Sequence, residues 1–286
     1  MHRFIFKEGG ESCLSSLCLT GILACSVFLA GNCNLYGQAR DLGNSLVVCR
    51  YVESVVVDTL SGRIVTDTLV LNVGRNASSF FSEDRFFVDS LLSQPDGRRK
   101  FASMMSQYAK AGKSSDLTSN TAEYIYQNYP EGRITTRAKV GSSLVEFSEE
   151  RTPLVWHFAD STKSILGYDC RMARTEFRGR VWMAWFTTDI PLNSGPWKLW
   201  GLPGLILEVF DKKREYEYTL VEIKPSEGSV ILYDWSNGVP YKKVDRIRYL
   251  KALSGLDQLR KDNVRAAGLG ELATERKYDL REKDYH

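Results

Sequence analysis

Residues 197–211 read WKLWGLPGLILEVFD, in which two tryptophans and two glycine/proline turn signals stand directly before an almost uninterrupted apolar run. From Leu205 to Phe210 the only charge is Glu208. Such a run offers no polar face to water, so it reads as a strand covered on both sides. Its entry is a rigid corner. Pro203-Gly204 suits a type II turn, because proline presets the first central dihedral and glycine accepts a positive second one. Pinning the entry has a folding purpose, since a slip of one residue would invert which side chains face inward.

A second two-faced strand precedes it. In RVWMAWF, Val181, Met183 and Trp185 point one way and Trp182, Ala184 and Phe186 the other, so both faces avoid charge. The rest of the chain is β-rich. SLVVCRYVESVVVD (Ser45–Asp58) and RIVTDTLVLNV (Arg63–Val73) flank a Ser61-Gly62 turn as a hairpin. TAEYIYQNY, RITTRAKV, SLVEFSEE, LVWHFAD and GYDCRMARTEF follow as a meander, with a turn at Arg178-Gly179. Aromatic content of 12% favours such pleated, half-buried surfaces. Ser82 predicts a capped helix with Glu83 and Asp84 in its first turn, and a second helix is expected over Lys100–Ala111. The polar stretch GKSSDLTSN reads as a loop, and Lys242–Lys261 as an amphipathic helix. The fold class is α+β: an antiparallel sheet with a few packing helices. Without an internal repeat or boundary signal, residues 40–275 read as one domain, followed by a charged, disordered tail over 276–286.

The amino terminus sets the expected compartment. Arg3 and Lys7 precede an apolar run from Leu17 to Ala30, then small and polar residues, the order of a secretory signal peptide. The run is shorter than the about 20 residues a spanning helix needs. Residues 1–39 are therefore read as a signal peptide cut between Gly37 and Arg40, with export to the periplasm, the inner face of an outer membrane, or the medium. Asn32 intervenes between Gly31 and Cys33, which argues against a lipid attachment site. Cleavage removes Cys13, Cys18, Cys25 and Cys33 and leaves Cys49 and Cys170, either as a disulfide or as two buried thiols.

Recognisable catalytic equipment is sparse. A net charge of +3 does not argue for nucleic acid. Of three histidines, His2 lies in the leader and His286 ends the chain, leaving His157 between aromatics. C-x-x-C, H-E-x-x-H, a G-x-S-x-G elbow and nucleotide-binding loops are all missing, so neither a metal nor a cofactor is expected. Asp189 and Glu208 could form a carboxylate pair, with His157 as a further group, in an unrecognised hydrolase. The competing expectation is non-enzymatic: Trp182, Trp185, Trp197 and Trp200 either line a site for an apolar small molecule, lipid or peptide, or form ordinary core.

Gly201, Leu202, Pro203, Gly204, Leu205 and Ile206 spell GLPGLI, and ILGYDC (165–170), AWFTTDIP (184–191) and SGPW (194–197) precede it in order. This motif string resembles the GLPGLI family of exported Bacteroidetes proteins. The resemblance implies an envelope protein with no established activity and no catalytic residues to transfer, sometimes an accessory to an outer-membrane transporter. By fold-level analogy it implies a curved sheet like the half-barrel of lipoprotein carriers.

Overall fold

A computed structural model describes residues 39–59, 61–111, 122–266 and 280–285. The leader up to residue 38 with its cleavage site, the polar loop over 112–120 and tail residues 276–279 lie outside the described residues. The chain opens with the expected hairpin, β1 (Arg40–Asp58) against β2 (Arg63–Gly74). Odd-numbered residues of β1 from Ser45 to Val55 are buried, the period of two that a one-sided strand requires. After β3 (Ser78–Ser82) come α1 (Glu83–Leu92) and α2 (Gly97–Lys110). Ser82 caps α1 by accepting from the Arg85 N–H at 3.2 Å. The helix α2 begins at Gly97, three residues before the expected start.

The meander follows: β4 (Glu123–Gln127), β5 (Arg133–Val140), β6 (Ser143–Glu150), β7 (His157–Ile165), β8 (Tyr168–Phe177) and β9 (Arg180–Thr187). Leu166-Gly167 and Arg178-Gly179 all have positive φ, the two-residue turn geometry that matches strand twist in a hairpin. Then come β10 (Leu205–Asp211), β11 (Tyr216–Pro225), β12 (Ser229–Leu232), β13 (Lys242–Lys243) and α3 (Arg246–Ala266). Lys242 and Lys243 were expected to begin the last helix. They instead pair in parallel with Val145 and Glu146, which makes an otherwise antiparallel sheet mixed.

The sheet runs β13-β6-β5-β4-β3-β2-β1-β11-β10-β9-β8-β7, and β12 pairs with β1 beside this path. It is open, because β13 and β7 end the path and are not bonded to each other. It also curls. β6 and β7 lie ten strand steps apart, about 48 Å in a flat sheet, yet residues 151–156 join them with a reach of at most about 25 Å. The inner face carries the main core, including Val47, Cys49, Tyr51, Leu69, Leu71, Phe80, Ile125, Trp182 and Tyr218.

Candidate functional site

The connection from β9 to β10, residues 188–204, enters the curl. From Ser194 to Leu199 every residue is buried. Trp197 packs its ring 5.5 Å from those of Trp182 and Phe177, and its carbonyl accepts from Gln127 Nε2 at 3.1 Å on β4. Tyr51 of β1 donates to the Ile206 carbonyl at 2.6 Å. The segment therefore reaches strands far from its own in the sheet and fills the inside of the curl.

The turn chemistry differs from expectation. Gly204 does not have the positive φ of a type II turn; Gly201 does, at 101°. Gly204 is required for another reason: a Cβ there would lie 1.9 Å from the Thr187 carbonyl oxygen. The corner is a close approach of β10 to the end of β9, and only a hydrogen fits.

Lys198 points into this interior with a side chain 0% exposed, 2.5 Å from Glu149 and 2.6 Å from Glu282. Burial alone would lower its pKa; the carboxylates of Glu282 and Glu149 outweigh that and raise it. Glu282 is held below its ordinary value. Burial pushes it up, and the Lys198 ammonium with bonds from Lys198 and Arg246 pulls it further down. Arg178 also pairs with Glu149, and Arg246 lies 2.6 Å from Glu282. Nearby, Arg180 meets Asp211 at 2.9 Å and Glu215 at 2.6 Å. Residues 280–285 belong to this network, so the expectation of a disordered tail fails there: each of Arg281, Glu282, Lys283 and Asp284 finds an opposite charge on the body.

Beside the network lies a groove of about 600 Å³, within the roughly 300–1,000 Å³ range of ligand clefts. Residues 152–155 form one wall and β8 with its turn the other. Ile134, Leu154, Val155, Phe177, Val181 and Trp200 supply apolar surface, and Glu150, Glu176, Arg174, Arg178 and His157 supply charge or polarity. The strap is fixed: Thr175 donates to the Val155 carbonyl at 2.7 Å, and Trp156 Nε1 to the Trp200 carbonyl at 2.9 Å. The Arg151 guanidinium covers the Trp200 ring at 3.5 Å.

The four candidate tryptophans thus separate. Trp182 and Trp197 are core, at 0% and 1% exposure, because the folded-in connection lays Trp197 against Trp182. Trp185, on the opposite face of β9, is also buried, at 9% exposure, and lies beneath Lys163, whose ammonium is 4.6 Å from the ring and 2.7 Å from Glu208. Only Trp200 of the four lines the groove. Cys49 and Cys170 are both free and buried, on β1 and β8 with three strands between them. Burial pushes the Cys49 thiol up and Cys170 to about 11. Of the residues considered for a hydrolase, Glu208 is engaged by Lys163, His157 stands three strands away on β7, and Asp189 is exposed beyond β9. Among the described residues no group of three His, Cys, Asp or Glu is placed to hold a metal ion. Sequence reasoning missed Lys198, Glu53 and the tail charges. Glu53 was detectable, since the β1 alternation sets it on the face of Cys49, Tyr51 and Val55.

The segment that folds inward is also the segment that compares with a known family. Residues 174–208 match a family model described as "Protein of unknown function (Porph_ging)". The match covers the end of β8, all of β9, the buried connection and the first residues of β10. No curated protein matches the chain. Two similar solved structures are titled "Structure of PNGF-II in P21 space group" and "Structure of PNGF-II in C2 space group". The first is 16% identical with a TM-score of 0.48, over 73% of this chain and 33% of that one. The second is 17% identical with a TM-score of 0.47, over 73% and 32%. This chain therefore spans about a third of the length of those two.

Proposed function

We propose that this chain is an exported envelope protein of the GLPGLI type that acts by binding, holding an extended segment of a membrane transport partner in the groove between residues 152–155 and β8. The observation that carries this reading is the groove itself. Its walls are fixed by hydrogen bonds, and its apolar floor is rimmed by both signs of charge, a lining suited to a peptide rather than to an acyl chain. β7 adds support. It ends the sheet path, so one side of its backbone has no strand partner among the described residues, the arrangement used when a peptide adds to a sheet edge. The curl of the sheet supports the half-barrel analogy. An apolar ligand on the concave face is a weaker reading, because residues 188–204 occupy that face.

The test is native mass spectrometry of the protein purified gently from its own cell envelope, alongside Trp200→Ala. The expected result is a mature mass beginning between residues 38 and 40, accompanied by a peptide or protein partner that is reduced in the variant. A chain retaining residue 1 would refute export. A bound lipid would overturn the peptide assignment, and a bare chain from both preparations would reassign the protein to a structural role.

A further inference from the structure

The described end of the chain, Leu280–Tyr285, lies in no helix or strand, yet it occupies a cleft whose walls carry buried charges matched to it residue by residue. Arg281 enters first. Its guanidinium is 2.5 Å from Glu53, a β1 carboxylate with 0% exposure, and lies 5.4–5.6 Å from the ring centroids of Trp197, Tyr216 and Tyr218. Glu282 meets Lys198, also 0% exposed, and Arg246. The Lys283 ammonium is 3.5 Å from Glu215, and Asp284 is 2.7 Å from Arg246. Arg180 donates to the carbonyls of Leu280 and Arg281 at 2.9 and 3.0 Å. Leu280 and Tyr285 pack on the small core of Ala138, Val145, Phe147, Tyr249 and Leu250. At the β8–β9 turn the fit is close enough that a Cβ on Gly179 would stand 2.8 Å from Lys283.

A wall built only to cover a core would be apolar, because burying Glu53, Lys198 and Arg180 is costly unless each is paired. Glu53 and Lys198 pair with the side chains of Arg281 and Glu282, and Arg180, itself paired with Asp211 and Glu215, reaches the segment through its backbone carbonyls. The backbone bond that ties it to the turn is Lys283 N–H to the Arg178 carbonyl at 2.9 Å, and no sheet ladder holds it. We infer that this cleft is a peptide-recognition site, separate from the groove, that reads the order Leu-Arg-Glu-Lys-Asp-Tyr and is filled in cis by residues 280–285. The segment is then a bound ligand that happens to be covalently attached, and the same sequence supplied in trans competes for its place.

The experiment uses the full chain with a protease site inserted between residues 267 and 279, cut after folding, and a fluorescent peptide of residues 280–286. The expected result is that the severed segment stays with the body in gel filtration and exchanges with the labelled peptide. A peptide carrying Arg281→Glu and Glu282→Arg should bind at least about 100-fold more weakly, the scale of breaking a buried pair. Loss of the severed segment with an unchanged melting curve and no peptide binding would overturn the inference, as would equal binding of the swapped peptide. Should cutting unfold the body, the uncut chain decides: Glu53→Lys and Arg281→Glu each lower the melting temperature, and the double variant recovers part of the loss if the slot reads charge. Absence of any recovery refutes it.

Discussion

Replacing Lys198 by methionine isolates the energetics of the buried network. The substitution keeps most of the side chain's length and apolar contact and removes the ammonium, together with its approach to the Phe147 and Trp197 rings. Glu149 and Glu282 lose a cation at 2.5 and 2.6 Å while remaining buried. Removing one partner of a buried pair costs about 3–5 kcal/mol. Here Arg178 and Arg246 still reach both carboxylates, which places the expected loss near the low end, about 3 kcal/mol. For a domain of this size that is a fall of roughly 6–12 °C in melting temperature. Urea unfolding followed by tryptophan fluorescence should show a lower midpoint with an unchanged slope, the signature of altered stability rather than altered compactness. Adding Glu282→Gln removes a carboxylate left with one cation fewer, so the double variant should lose less than the sum of the singles, by about 0.5–3 kcal/mol. A single variant within about 0.5 kcal/mol of the parent, or strictly additive singles, would refute a buried, mutually dependent pair.

Two further outcomes are expected. Gly204→Ala should destabilise by more than about 2 kcal/mol, since its Cβ would overlap the Thr187 carbonyl oxygen and overpacking costs about 1–3 kcal/mol even without backbone contact; Pro203→Ala, at an exposed position, should cost far less by the same thermal melt, and equal losses would contradict the close-approach reading. Stability against pH should be flat in between and fall at both ends. Glu282 is depressed in the fold, so its contribution is present above its unfolded pKa of about 4.3 and lost as pH falls through the folded value; Lys198 is raised, so its share is present below about 10.4 and lost as pH climbs through the folded value. The acid arm should be shallower in Glu282→Gln, and an identical acid arm would mean that other carboxylates carry it.

The local syntax of this chain was legible from the residues. Alternation along Ser45–Val55, the Ser82 cap and the Arg178-Gly179 turn each follow from dihedral preference and hydrogen bonding within a few residues. The two-faced strands at 181–186 and 205–210 were recognisable as covered on both sides, because Glu208 is their single charge. What covers them was not legible. Periodicity states that a face is buried and is silent about its partner, so Trp182 and Trp185 read alike until the folded-in connection covered the first and Lys163 the second. The same limit misled the reading of the tail. A run of alternating charges reads as solvated when its partners are out of view, and Arg281 meets Glu53 across 228 residues of sequence. Sequence determined most of the strands and the tight hairpin turns between them, though not β13 or the turn before β10. The tertiary structure alone decided that the signature segment would fill the curl and that the charged end would be buried, because buried charge is tolerable only where a distant opposite charge is brought to meet it.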